Sequence, residues 1–350
     1  MKKHNHSFRL HQIKAAQSKK KRTKKYIPNS KILLYYHNLH EDLLIDQQLK
    51  NDNSKVLKAP ENFCFVENAE ECLNFFNLIR GGDYLTDIND KKYIQLDLKS
   101  VKKIDYGTIC VLKAILYEIE FKSIVVRGNF PEDIECKNFI LESGFLNYLV
   151  DEKGRNFRKT KNSEIVFFLK SADEFSDEEM KKLGDKIKMI MEHLTGVRKH
   201  NQSLRSMILE VCGNSIEHSQ SLNNYWIIGF YFEKDKVKIT VTDIGVGILE
   251  TLYIKHTKKI LDLLTVKSDL GVLKGAFLRK YGSSTLEDNR NKGLPLIQKT
   301  NEERKIENLV VITNSVILQF NDESKSRVFK QNSKFFGTFY QWEISTNCIF

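Results

Sequence analysis

No run of about 18 apolar residues occurs anywhere in the chain, which excludes a membrane-spanning helix of ordinary length. No apolar segment follows the basic N-terminal residues, so no signal peptide is expected. The six cysteines (Cys64, Cys72, Cys110, Cys136, Cys212 and Cys348) include no CxxC pair and share no zinc-ligand spacing with the nine histidines. That absence argues against a disulfide framework and a structural zinc site. The thiols sit mostly in apolar runs, as reduced core cysteines do, and a cytoplasmic setting is expected. No internal repeat is visible, which argues against a solenoid.

Acidic residues are missing from one place in particular. Residues 1–25 hold ten Lys or Arg and no Asp or Glu, while the whole chain has 56 basic and 45 acidic residues. Subtracting the ten leaves 46 against 45, so the net charge of +11 belongs almost entirely to the N-terminal segment. Residues 1–30 therefore read as a basic tail with too few apolar groups to fold alone. Such a tail either stays solvated or touches a nucleic acid or acidic partner through its charges. With only Phe8 among residues 1–25 and Tyr26 just after them, it lacks the interleaved rings that base stacking needs.

What remains alternates. "KYIQLDL" (92–98) and "SIVVRG" (123–128) have the branched, apolar composition of strands, and "GTICVLKAILYEIEF" (107–121) and "PEDIECKNFILESGF" (131–145) that of helices. This order predicts a small α/β domain over 31–155, beginning with the mixed segment "KILLYYHNLHEDLLIDQQL". The polar stretch 150–164 reads as a linker. A second domain over 156–350 opens with a helix capped by Ser176 and three acids, at 176–194. Strands at 225–232 and 236–243, and three more formed by "NLVVIT", "SVILQF" and "TFYQWEI", predict a mainly antiparallel sheet backed by helices. The fold class is thus mixed α/β, of the α+β kind in its second half.

Four elements in that half carry chemistry. In "MILEVCGNSIEHS" (207–219), Glu210, Asn214 and His218 form a row beside an apolar stripe of Leu204, Ile208, Val211, Cys212 and Ile216. A row of this kind is either a solvated face or a site. Gly213 costs the helix about 1 kcal/mol relative to alanine, which suggests that space is needed there. "VTDIGVGI" places Asp243 at a strand end before Gly245, Gly247 and Ile248. The carboxylate can accept from an exocyclic amine while the glycines admit a close ligand, or the segment is a turn. "YGSSTLEDNRNKGLPLIQK" (281–299) runs a polar loop holding Ser284 and Thr285 into Lys292, Gly293 and Leu294, where free helix amides beside a lysine suit phosphates. "FFGTFYQWEI" begins the last strand with Gly337 and Thr338.

Together these elements resemble the GHKL ATP-binding fold, the Bergerat fold of gyrase, histidine kinases, MutL and the anti-sigma-factor kinases. "EVCGNSIEH" is similar to the family's N-box, "DIGVGI" to its first glycine box, "NKGLPLI" to its second, and "GTFYQWEI" to a terminal strand of the kinase-like branch. The resemblance covers roughly residues 175–350. It implies a two-layer sandwich and a site for ATP and Mg²⁺. In it Glu210 would be the general base and Asn214 the magnesium ligand. Asp243 would read the adenine amine, Gly245, Gly247 and Ile248 would line the base pocket, and Thr338 would support the adenine contact. Ser284, Thr285, Lys292, Gly293 and Leu294 would hold phosphates, under a lid spanning 249–292. His218 falls at a family position but reads equally as a packed residue. The second glycine box has one glycine where many relatives have two or three, and Pro295 where glycine is common. His200 lies too near the N-box, in the wrong pattern, to be a phospho-acceptor, so a histidine autokinase is not expected.

The segment 60–150, with "YIQLDLKSVKKIDYGTICVLKAILYEI", resembles a STAS domain, the fold of anti-sigma-factor antagonists. The usual phosphorylated serine is replaced within Asp105, Tyr106, Gly107 and Thr108, so Thr108 reads as a helix cap or an acceptor and the domain as a docking or sensing module. Two functional readings stay open: an ATPase or Ser/Thr-type protein kinase acting in signal transduction, and a nucleotide-gated interaction module without catalysis. A third attaches either one to nucleic acid through residues 1–25. A protein partner and a homodimer fit all of them, as do sigma-factor control, sensory signalling and phage defence.

Overall fold

A computed structural model describes residues 56–81, 85–86, 92–121, 123–157, 166–170, 176–218, 226–255, 268–278, 293–330 and 333–349. The basic segment, the mixed segment that follows it and the loop 281–292 lie outside the described residues.

The first part of the chain builds strands β1 (Val56–Lys58) and β2 (Asn62–Phe63), helix α1 (Ala69–Gly81), β3 (Leu85–Thr86), β4 (Lys92–Asp97), β5 (Lys103–Ile104), helix α2 (Tyr106–Phe121), β6 (Val125–Gly128) and helix α3 (Ile134–Glu142). β4 is the centre of a small sheet, parallel to β1 and β6 and antiparallel to β3. This is the strand–helix–strand–helix order expected from the pattern. Asp105, not Thr108, caps α2: its carboxylate accepts from the Thr108 amide at 2.7 Å, while the buried Thr108 hydroxyl accepts from the Phe65 amide at 2.8 Å. A hydroxyl so enclosed is neither the cap nor open to a kinase.

The second part follows as β7 (Val166–Lys170), helices α4 (Asp177–Thr195) and α5 (Gln202–His218), β8 (Trp226–Phe232), β9 (Lys236–Asp243), helices α6 (Ile248–Lys255), α7 (Asp269–Phe277) and α8 (Gly293–Glu302), then β10 (Glu307–Asn314), β11 (Val316–Gln319), β12 (Arg327–Val328) and β13 (Phe335–Ser345). Ser176 and Glu179 form a reciprocal capping box at the start of α4, as its sequence suggests. Seven strands make one sheet in the order β12-β11-β10-β13-β9-β8-β7. Every pairing in it is antiparallel.

One face of this sheet buries Trp226, Ile228, Phe230, Ile239, Val241, Tyr340 and Trp342 against the apolar stripes of α4 and α5. The other face is covered as well. Ile227, Ile244, Ile312, Phe335 and Phe339 belong to the same core as α1, α2 and the small sheet. The expected two-layer sandwich therefore gains further layers, and residues 54–350 form one compact unit. The cause lies in the strands: β8 (WIIGFYF) and β13 (FFGTFYQWEIS) are apolar at almost every position, the pattern of strands buried on both faces. Helix α2 is buried nearly all round, lying between the small sheet and the large one, as a helix without a polar face must.

The contact is close because two glycines permit it. A Cβ at Gly229 would lie 2.5 Å from the Tyr106 hydroxyl and 2.7 Å from Cys110 Sγ, and one at Gly107 would lie 2.6 Å from Gln341 Oε1. Tyr106 also stacks on Tyr231, and Phe65 packs edge-on against Phe335 and Phe339. Within the stretch read as a linker, Val150 bridges to Arg127 and to Asn156, and residues 158–164 lie outside the described residues. Gly229→Ala is expected to lower stability by about 1–3 kcal/mol through overpacking at this seam. Urea unfolding of the full chain reads the shift, and an unchanged midpoint would show that the close approach is dispensable.

Candidate functional site

Helix α5 turns Leu204, Met207, Ile208, Val211 and Cys212 into the core, all at most 2% exposed. Glu210 and Asn214, half-buried, stand at the border of that stripe, and Ser215 is buried beside them. The side chains of Ile216 and His218 lie outside the described residues. The space expected around Gly213 is not used by any neighbour, since a Cβ there would meet nothing within 4 Å.

Asp243 ends β9 and is 2% exposed. One carboxylate oxygen accepts from the backbone amides of Gly245 (3.0 Å) and Thr338 (3.2 Å), and the other from the Ser215 hydroxyl (3.0 Å). Of the roughly four lone-pair positions on a carboxylate, three are taken and one remains for a further donor. Burial is the main reason that the carboxyl is raised to about 6 from its ordinary 3.8; the three hydrogen bonds and the Arg80 charge oppose it. Near neutral pH the group is an ionised acceptor inside the protein.

The segment after Asp243 is held from β10. The Thr313 hydroxyl accepts from the Ile248 amide (2.9 Å), and the Asn314 side-chain oxygen from the Leu249 amide (3.1 Å), which caps α6 from 65 residues away. Asn314 also donates to the Val246 carbonyl at 2.8 Å. Gly247 has φ +88°, and a Cβ on it would fall 2.5 Å from Asn314 Oδ1. The Cβ side of Gly247 is thus filled by Asn314.

Gly293 begins α8 against α5. A Cβ added to it would meet the Asn214 amide at 3.0 Å and a Glu210 carboxylate oxygen at 3.2 Å, so both side chains converge on one point beside the helix N-terminus. The Asn214 Nδ2 atom and the Tyr340 hydroxyl are buried beside each other, and neither has a partner besides the other. Leu294 and Ile248 pack against the helix-side core, which gives each an apolar role. Ser284, Thr285 and Lys292 lie outside the described residues. Of the segment expected to be a lid, α6 and α7 are packed structure: Leu249, Val272, Leu273 and Phe277 are buried in the core, and Asp269 accepts from Tyr253 and Ser315. Residues 256–267 and 279–292 lie outside the described residues.

Among the described residues no three His, Cys, Asp or Glu cluster to hold a metal ion. An octahedral Mg²⁺ needs only one or two protein oxygens beside phosphates and water, and the Asn214 side-chain oxygen fits that limited requirement. The cysteines are free, and burial holds their thiols above the ordinary range, Cys64 near 12 and Cys136 near 11. A thiolate nucleophile or ligand is therefore disfavoured.

Glu210, Asn214, Asp243, Gly245, Gly293 and Thr338 are thus brought together at one end of the sheet. Sequence reasoning missed Ser215, Thr313, Asn314, Tyr340 and Arg80. Ser215 had a signal, since it follows Asn214 on the same helix; the others act from strands or helices distant in the chain. No described helix is long and apolar enough to cross a membrane. Compared with models of known protein families, with curated proteins and with solved structures, the chain finds no match.

Proposed function

We propose that the second half of the chain binds ATP with Mg²⁺ and, as a regulatory protein of the GHKL type, cleaves the nucleotide or passes its γ-phosphate to a protein hydroxyl. One observation carries the reading. Four segments scattered over more than a hundred residues meet around Asp243, Asn214 and Gly293, with one acceptor position left on the Asp243 carboxylate and the Asn214 and Glu210 side chains converging beside the start of α8. An adenine amine fits the first, and a metal-bound phosphate chain the second. Asn214 would hold the Mg²⁺ through its side-chain oxygen, and the ion would neutralise charge on the phosphates. Glu210, one helical turn away, would accept the proton of a water or acceptor hydroxyl. The amides that open α8, with their positive dipole end, would lie against the phosphates.

Titration with Mg-ATP and a phosphate-release assay on the full chain test this reading. Asn214→Ala is expected to lose the Mg-dependent part of affinity, about 10–100-fold, the value of a charge-assisted contact. Glu210→Ala is expected to retain binding while turnover falls by about 10²–10⁴, the usual contribution of a general base. A wild type that binds no ATP sinks the proposal. Turnover equal in wild type and Glu210→Ala removes the catalytic part and leaves a nucleotide-gated module.

A further inference from the structure

Arg80 is a charged side chain that the N-terminal α/β half sends to the edge of this site. It leaves the last turn of α1 with its side chain only 10% exposed. Nε donates to Glu118 of α2 at 2.9 Å, Nη1 to the Phe336 carbonyl at 2.9 Å, and Nη2 to the Ile244 carbonyl at 3.1 Å. Those two carbonyls flank the groups that hold Asp243. Ile244 follows Asp243 directly, and Phe336 precedes Gly337 and Thr338, whose amide donates to the Asp243 carboxylate. Between them the backbone is unusual: Gly337 has φ +142° and lies so close that a Cβ would fall 2.1 Å from the Asp243 carbonyl.

We propose that Arg80 is a positioning residue of the nucleotide site, stapling the end of β9 to the start of β13 so that Asp243 faces the adenine amine. The inference rests on the ATP reading for its ligand, and on geometry for its staple. A planar guanidinium can donate to two carbonyls and a carboxylate at fixed angles; an ammonium on a flexible stem cannot reproduce the fork. Glu118 sets the fork's orientation from a second helix of the same half. The α/β half is then not a module hung beside the nucleotide site but a contributor to its wall. The groups acting electrostatically on Asp243 are the Arg80 guanidinium from α1 and the Tyr340 hydroxyl from β13, with the neutral Ser215 hydroxyl from α5. Removing the guanidinium leaves burial less opposed, so the carboxyl holds its proton to higher pH.

The experiment compares wild type, Arg80→Lys and Glu118→Gln as full chains, by ATP, GTP and tripolyphosphate titration at pH 6 and 8 and by amide hydrogen exchange. Arg80→Lys keeps the positive charge and is expected to weaken ATP about tenfold at both pH values, through the loss of one or two charge-assisted bonds, while tripolyphosphate affinity stays at the wild-type value. ATP should lose its preference over GTP, and exchange should quicken at 243–248 and 336–338 alone. Glu118→Gln should fall between wild type and Arg80→Lys. Wild-type ATP affinity with unaltered exchange in Arg80→Lys would overturn the proposal. Equal loss of ATP and tripolyphosphate, or faster exchange spread over the whole chain, would overturn it too, since that is general destabilisation. Should the wild type bind no ATP, the functional reading falls separately, and the local exchange still decides whether Arg80 holds the loop.

Discussion

Gly337→Ala is expected to remove about 2–5 kcal/mol of stability, the sum of a strained backbone and an overpacked contact, and to leave little folded protein. The residue sits at φ +142°, where side chains are rarely tolerated, and its missing Cβ would occupy a point 2.1 Å from the Asp243 carbonyl oxygen. The obstructing atom is backbone in the middle of a seven-stranded sheet, so no rotamer change relieves it. β13 pairs with β9 from Thr338↔Asp243 onward, and a displaced strand start would carry away the Thr338 amide that holds the carboxylate. Urea unfolding and the yield of soluble protein measure the effect. A variant as stable as wild type would show that the junction of β9 and β13 is looser than its geometry.

Asp243→Asn should act in the opposite sense on stability while abolishing most ligand affinity. The carboxyl is raised from 3.8 to about 6, chiefly by burial. The folded state therefore holds a proton that the unfolded state has released between about pH 4 and 6. Stability falls as pH rises through that window, and the loss is complete above it. At about 1.36 kcal/mol per unit, the difference amounts to about 3 kcal/mol for the ionised group at pH 8. Asparagine keeps an oxygen for the Gly245 and Thr338 amides and can donate to the Ser215 hydroxyl, without a charge to bury. The variant should be more stable than wild type at pH 8 by about 1–3 kcal/mol, with a flatter dependence on pH. Its affinity for ATP should drop about 100-fold, because the amide nitrogen that replaces the second oxygen donates where the amine needs an acceptor. Gaining stability by losing a buried charge is the mark of a residue kept for function. Unfolding at pH 5 and 8 with ATP titration checks both parts. An Asp243→Asn chain that is less stable at pH 8, or binds ATP as wild type does, would defeat the argument.

Local signals in the chain were readable where one element carries its own instructions. Ser176 and Glu179 announce a capping box, and the structure forms it. The stripe from Leu204 to Cys212 announces which side of α5 is buried, and with it the row on which Glu210 and Asn214 stand. Asp243 at a strand end and Gly293 at a helix start were both placed correctly by pattern. The near absence of charge from 107 to 117 was a hint that α2 is enclosed on all sides, but periodicity says only that a helix is buried and not what buries it. That Asn314 fills the Cβ side of Gly247 was not legible, because the two are remote in the chain. Thr108 failed as a cap because the helix begins two residues earlier, at Tyr106, and Asp105 accepts from the Thr108 amide.

The amino-acid sequence by itself determined the helices and strands, the apolar faces they must bury, and the polar residue types available at the candidate site. Hydrophobic period and capping act over a few residues and need no partner. Tertiary structure alone decided that the α/β half covers the back of the sheet and that Asn314 caps α6. It alone sent Arg80 across 164 positions to the carbonyl after Asp243. Those contacts depend on which apolar surfaces meet, and many pairings satisfy the same pattern; the glycines at 107 and 229, by admitting side chains, and at 337, by admitting backbone, at distances that a Cβ would forbid, select among them.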